Sequence, residues 1–245
     1  MIRSLIRKVY WKLAIWRHRL VHGRIERKPG PPLDIAVTVL TYKRPTYLYR
    51  TLVSFFEVNR DILPHCRVIV LNQTSDPETE EVLAEFGTKI DQVMRTEQNI
   101  GCGRAYTLLM QRALELGCPY ILHLEDDFES REALAPHLPE LVSALDRPEL
   151  GAVRLRSVHD TVKDVNWVTG ESFEWRPVSG SVDASTGHFT FNPTLVRREV
   201  IERLLPVGDE AEAIRVYHHF GLGIARLKGD AFVHIGDQRV DDWKA

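Results

Sequence analysis

The sequence predicts an α/β fold on a mainly parallel central sheet, followed by a mixed and less regular half. Three observations carry this. From Ile35 to Leu124, apolar runs of strand length alternate with amphipathic stretches of helix length, the pattern of right-handed βαβ crossovers. The run Tyr120–Leu124 stops at three consecutive carboxylates, Glu125-Asp126-Asp127, and open α/β sheets bind ligands just beyond the carboxyl ends of their strands. After about residue 150 the regular alternation gives way to short strand-like segments with polar turns.

Taken in order, the first 28 residues hold nine Lys and Arg (Arg3, Arg7, Lys8, Lys12, Arg17, Arg19, Arg24, Arg27, Lys28) against Glu26. The whole chain carries -2, so the remainder lies near -10. Ile2, Leu5, Ile6, Val9, Tyr10, Leu13, Trp16 and Leu20 recur at helical spacing. The expectation is a basic amphipathic helix over 1–28 with two readings. It lies on an anionic membrane surface, each basic residue adding about 1 kcal/mol, or its apolar stripe packs on the globule or on a second copy of the chain. The Pro/Gly stretch 29–33 then reads as a stiff linker, and 34–245 as one domain.

Within that domain Ile35–Leu40, Arg67–Leu71, Gln92–Arg95 and Tyr120–Leu124 read as strands. Thr46–Val58, Glu78–Phe86 and Cys102–Leu116 read as the helices between them, the last with Ala105, Leu108, Leu109, Ala113 and Leu116 on one face. A helix near Arg131–Leu145 closes the first half. Strands are then expected at Ala152–Arg156, Trp167–Thr169, Ser172–Trp175, Gly187–Asn192, Gly223–Leu227 and Ala231–Ile235, and helices at Arg197–Leu204 and Glu210–Phe220.

Composition narrows the function classes. An acidic globule argues against a large nucleic-acid face. Cys66, Cys102 and Cys118 are odd in number and lack C-x-x-C spacing, which speaks against a disulfide framework or structural zinc and for a reducing, cytoplasmic setting. No apolar run reaches membrane-span length, and the N-terminus has no signal-peptide pattern.

The chemistry concentrates in four places. Three adjacent acids repel one another unless a cation sits among them, so Glu125-Asp126-Asp127 reads as a Mg²⁺ or Mn²⁺ site serving a phosphate ligand, or as a solvated loop. Thr41-Tyr42-Lys43-Arg44-Pro45 ends the first strand where a base or phosphate would lie, and reads equally as turn chemistry before a helix. Asn72–Asp76 ends the second strand; it supplies hydrogen bonds to a base or ribose, or Asp76-Pro77 caps the next helix. Asn99-Ile100-Gly101-Cys102-Gly103-Arg104 has two glycines that admit close backbone approach to a ligand, and Arg104 is placed to neutralise phosphate. Neither a dinucleotide fingerprint nor a P-loop is present.

The ordered set Ala36–Pro45, Asn72–Asp76, Asn99-Ile100-Gly101 and Glu125-Asp126-Asp127 resembles family 2 glycosyltransferases of the GT-A fold, in the Glu-Asp-Asp version of their "DXD" motif. The resemblance implies a nucleotide-diphosphate-sugar donor, a UDP-sugar first, and a hydroxyl acceptor that is a saccharide, a lipid-linked saccharide or a protein. It implies Mn²⁺ or Mg²⁺ held by Asp127 with help from Asp126 and a late histidine, His234. Thr41, Tyr42, Arg44, Asn72, Asp76, Asn99, Arg104, Glu125 and Asp126 then fall on the donor. Asp209-Glu210 matches the acidic pair that supplies the base, and single-displacement chemistry with inversion follows. Two departures stand out: Leu71-Asn72 replaces the family's usual Asp, and the acidic pair is Asp-Glu, which leaves Asp209, Glu210 and Glu212 as contenders. Ser185–His188, Trp167, Phe173 and Trp175 are candidate acceptor-side residues, or ordinary turn and core. The rivals are a nucleotidyltransferase, which would normally carry a Gly-rich basic loop after the first strand, and an inactive nucleotide-sugar-binding module.

Overall fold

The computed structural model describes residues 35–156, 168–169, 173–176, 191 and 193–236. The expected basic helix over 1–28, the linker 29–33, and the candidates Trp167 and Ser185–His188 lie outside the described residues.

A nine-stranded sheet forms the centre, in the order β3-β2-β1-β4-β9-β6-β10-β8-β7. Its parallel half comprises β1 (Ile35–Thr41), β2 (Cys66–Asn72), β3 (Gln92–Arg95) and β4 (Tyr120–Glu125). The other half holds β6 (Leu150–Arg154), β7 (Val168–Thr169), β8 (Phe173–Arg176), β9 (Thr194–Arg197) and β10 (Gly223–Leu227). Only β8 and β9 run against the rest, since β6 and β10 return to the direction of β4. A two-stranded sheet pairs β5 (Phe128–Ser130) with β11 (Phe232–His234) antiparallel.

Helices cover both faces, which is why the central strands carry apolar residues on both sides. On one face α1 (Pro45–Val58) buries Leu48, Leu52, Phe55 and Phe56 beside α2 (Pro77–Glu85) and α4 (Leu138–Leu145). On the other, α3 (Cys102–Glu115) packs with α5 (Arg198–Leu204) and α6 (Glu210–His219). Each large apolar side chain so buried contributes about 1.5–3 kcal/mol. The buried face of α3 is Ala105, Tyr106, Leu109, Met110 and Ala113, whereas Leu108 is half-buried and Leu116 exposed. The expected stripe was therefore rotated slightly, because Tyr106 stacks on Phe191 at 4.4 Å.

Two further expectations change. The helix near Arg131–Leu145 starts only at Leu138, because tertiary acceptors take the preceding amides: Arg131 N–H goes to Ala231 O and Leu134 N–H to Asn59 Oδ1. The short strand β5 precedes it, and β9 inserts between β4 and β6. Neither had a periodic signal, being three and four residues long.

Parallel pairing fixes the site. Thr41 lies opposite Asn72, and Leu40 opposite Glu125, so the ends of β2, β1 and β4 share one edge. His123, one turn of the pleat below, is fully buried on Thr38 Oγ1 at 2.9 Å; burial pushes its pKa down to about 3, leaving it a neutral core residue.

Candidate active site

Asp126 is the brace of this edge. It is 2% exposed. Its Oδ2 accepts from Thr41 Oγ1 at 2.8 Å and Tyr42 N at 3.3 Å, and its Oδ1 accepts from Arg44 Nη1 at 3.1 Å. Its carbonyl accepts from Thr51 Oγ1, whose oxygen in turn accepts Phe128 N–H. Burial raises the Asp126 pKa, opposed by the Arg44 charge, the Thr41 hydroxyl and the Tyr42 amide. Asp126, expected at the donor or metal, ties the β1 and β4 ends together, and so does Thr41, itself 1% exposed.

Asp127 points differently. Its Oδ2 lies 3.2 Å from Arg44 Nη1 and 3.4 Å from His234 Nε2. The histidine arrives because β11 pairs with β5, placing His234 opposite Phe128, while Ile235 N–H donates to Asp127 O at 2.9 Å. The hard carboxylate oxygen suits Mn²⁺ or Mg²⁺, while an imidazole nitrogen is a poor ligand for Mg²⁺ and favours a transition ion such as Mn²⁺; two ligands of one such ion lie about 3 Å apart. No cluster of three His, Cys, Asp or Glu suited to a metal occurs among the described residues.

Glu125 closes the group. One of its oxygens accepts from Cys102 Sγ at 3.3 Å. Burial, with the charges of Asp126 and Glu210, pushes its pKa up to about 7 against the pull of the Cys102 contact and of Arg44. The surrounding protein and the charges of Glu125, Glu210 and Asp126 push the Cys102 thiol up as well, which disfavours its thiolate. Cys102 opens α3 behind Gly101, whose φ of 84° demands glycine.

Gly103 does a different job from the one expected. A Cβ there would sit 1.9 Å from Gly208 O, so its missing side chain admits the protein's own backbone rather than a ligand. Asn99 Oδ1 accepts Gly101 N–H and shapes the same loop. Arg104 is exposed on the first turn of α3.

That Gly208 contact delivers the acids of α6. Asp209 is the N-cap, accepting from Glu212 N at 2.7 Å, and Glu212 Oε2 accepts from Gly208 N at 2.6 Å. Both are spent on the helix start. Glu210 instead accepts Phe191 N–H at 2.6 Å. The surrounding protein raises its pKa, while the Phe191 amide and Arg154 pull it down and Asp209 adds to the rise. Its outer surface remains exposed.

The end of β2 is built mostly for shape. Asn72, fully buried, donates to Glu80 Oε1 at 2.9 Å and accepts from Thr74 N. Asp76 caps α2 by accepting from Thr79 N at 3.0 Å. Asn72, expected at a base or ribose, is enclosed at the end of β2, and Asp76 serves as the helix cap. Gln73, not singled out from sequence, accepts Ile100 N–H at 2.9 Å and ties this loop to the glycine loop. Thr51, Thr107 and Arg154 were also missed; a helix-interior threonine or a strand arginine carries no local signal of its distant partner.

The model of glycosyl transferase family 2 matches residues 36–205, more than half of the chain. The chain belongs to that family. The match stops short of Glu210 and His234, which only the structure brings to the strand ends. Among solved structures the chain is similar to the mannosyltransferase PcManGT from Pyrobaculum calidifontis in complex with GDP-Man and Mn²⁺, at TM-score 0.60 and 17% identity over 93% of this chain and 65% of that one. It is similar to S. aureus TarS in complex with UDP, at TM-score 0.60 and 15% identity over 82% of this chain and 59% of that one. GalNAc-T7 with UDP, GalNAc and Mn²⁺ matches at TM-score 0.53 and 13% identity, over 82% of this chain and 43% of that one. The chain thus spans less than two thirds of the length of these structures. No curated protein sequence matches it. The shared architecture is the GT-A fold, with the carboxylates of this family-2 chain at the end of its fourth strand.

Proposed function

We propose that this chain is an inverting glycosyltransferase that moves a sugar from a nucleotide-diphosphate sugar to a hydroxyl acceptor. The observation that carries the reading is that the start of α3 touches both acidic groups: Cys102 Sγ lies 3.3 Å from Glu125 at the end of β4, and Gly103 abuts the Gly208–Asp209 backbone that leads into Glu210 at the start of α6. Metal-side and base-side carboxylates would then stand on separate elements, as attack on a sugar held between them requires.

Asp127 and His234 would hold Mn²⁺ or Mg²⁺, which neutralises charge gathering on a leaving diphosphate. Arg44 lies at the same edge and would supply a guanidinium for phosphate. Glu210 takes the proton of the acceptor hydroxyl as that oxygen attacks the anomeric carbon and the bond to the diphosphate breaks. Its fixed Phe191 contact holds one oxygen and leaves the other for that proton.

GDP-Man and UDP in the complexes of the similar structures support a nucleoside diphosphate donor, with a UDP-sugar the first to try. The acceptor is a saccharide, a lipid-linked saccharide or a protein. The basic 1–28 sequence favours a lipid-linked one at an anionic surface, and no helix among the described residues is long and apolar enough to cross a membrane.

The test is nucleotide release from UDP-, GDP- and TDP-sugars with Mn²⁺, Mg²⁺ or EDTA, comparing wild type with Asp127→Ala. Metal-dependent release lost in the variant is expected. Neither release nor metal-dependent nucleotide binding from any donor would sink the reading.

A further inference from the structure

Arg44 occupies the place between two aspartates that a cation would take. A single nitrogen, Nη1, lies 3.1 Å from Asp126 Oδ1 and 3.2 Å from Asp127 Oδ2. The same Asp127 oxygen faces His234 Nε2, so it is the atom on which guanidinium and metal would compete. The partners differ in exposure. The aspartate side chains are 3% and 4% exposed, while that of Arg44 is 29% exposed. The carboxylates are enclosed by the fold; the guanidinium reaches them from the open side, the direction in which it would turn away.

Charge decides when it turns. Stripping the cation from two buried carboxylates is costly, so Arg44 stays while nothing else neutralises them. A bare divalent ion must displace it and gains only two protein donors, Asp127 and His234, with water filling the rest of its shell. A nucleoside diphosphate alters both sides of the exchange. Its phosphate oxygens complete the metal's coordination and offer the guanidinium a new anion of matching geometry.

We infer that Arg44 is an exchangeable counter-ion that makes metal and nucleotide diphosphate bind jointly, weakly apart and tightly together. The inference rests on the metal-dependent donor reading above. It assigns Arg44 two successive partners, Asp127 before the donor arrives and phosphate afterwards.

The test counts free Mn²⁺ by its electron paramagnetic resonance signal, corrected for Mn²⁺ held by nucleotide in solution, for wild type, Arg44→Gln and Arg44→Lys, each with and without UDP or GDP. In wild type the nucleotide should tighten Mn²⁺ binding by at least about tenfold, within the usual range of coupled sites. Arg44→Gln should bind Mn²⁺ several-fold tighter than wild type without nucleotide and lose most of the coupling. Arg44→Lys keeps the charge and should keep most of it. Equal Mn²⁺ affinity with and without nucleotide in wild type overturns the inference, as does a folded Arg44→Gln that binds bare Mn²⁺ no tighter, or loss of coupling in Arg44→Lys. Wild type that takes up no Mn²⁺ under either condition defeats the metal-dependent donor reading itself.

Discussion

Gly103 and Gly208 touch backbone to backbone: a Cβ on the first would lie 1.9 Å from the carbonyl oxygen of the second. One turn further along α3, the Thr107 hydroxyl donates to Val207 O at 3.0 Å and accepts from Val207 N at 3.1 Å. Two positions on one helix face thereby seat the segment that starts α6 and carries Glu210. The helix that begins at the glycine loop is also the mount for the proposed base.

Gly103→Ala should accordingly displace Glu210 while the ends of β1 and β4 stay in place. A misplacement of about 1 Å lowers turnover on the order of 10²-fold, with nucleotide affinity close to wild type. Thr107→Val should act in the same direction more mildly and cost about 1–3 kcal/mol of stability through the lost partners of Val207. Turnover measured beside nucleotide affinity by calorimetry checks this. A Gly103→Ala protein with unchanged turnover would show that the contact does not position the base.

Glu210→Gln tests the base directly. Turnover should fall about 10²–10⁴-fold with donor affinity kept. A base works only when deprotonated, and the surrounding protein raises the Glu210 pKa above the ordinary 4.5. The wild-type rate should therefore decline as pH falls, with its acid-side midpoint above 4.5. That limb should vanish from the residual activity of the variant. Persistence of the same limb would assign it to another group.

Much of this was legible in the sequence, for identifiable reasons. The strands of the parallel half are long and apolar on both faces, so β1, β2 and β4 declared themselves, and the acids at the end of β4 interrupt an apolar run. The roles within that acidic triplet were not legible. Asp126 and Asp127 are neighbours of one type, and only the partner contacts from Thr41, Tyr42 and Arg44 make one a brace. Gly103 looked like a ligand-facing glycine because its partner, Gly208, lies 105 positions away in sequence. β5 and β9 are too short to show a period and owe their existence to tertiary pairing.

The division of labour between the aspartates gives a stability contrast. Asp126→Ala removes the acceptor for three donors and leaves Arg44 and Thr41 without it, at a cost of about 3–5 kcal/mol as for one partner of a buried pair. Asp127→Ala should cost clearly less, because Arg44 keeps Asp126, yet it should abolish metal-dependent nucleotide release. Denaturant unfolding of both variants in EDTA decides the matter. Equal destabilisation would remove the distinction between brace and ligand.

Glu125 links the site to stability through pH. Its pKa is pushed up to about 7 in the folded chain, chiefly because the surrounding protein strips water from a half-buried carboxyl, against an ordinary value of 4.5. Between those values the folded state binds more protons than the unfolded one. Stability from this group is therefore fully present below 4.5 and is lost as pH rises towards 7. Glu125→Gln keeps the shape but cannot ionise, so it removes this slope. In EDTA, the melting temperature of the variant should gain on that of wild type as pH rises from about 4.5 to 7 and hold its lead above. Mn²⁺ with nucleotide should narrow the gap, since positive charge beside Glu125 favours its ionised form. A difference between the two proteins that does not vary with pH would mean that Glu125 ionises in the fold as it does in the unfolded chain.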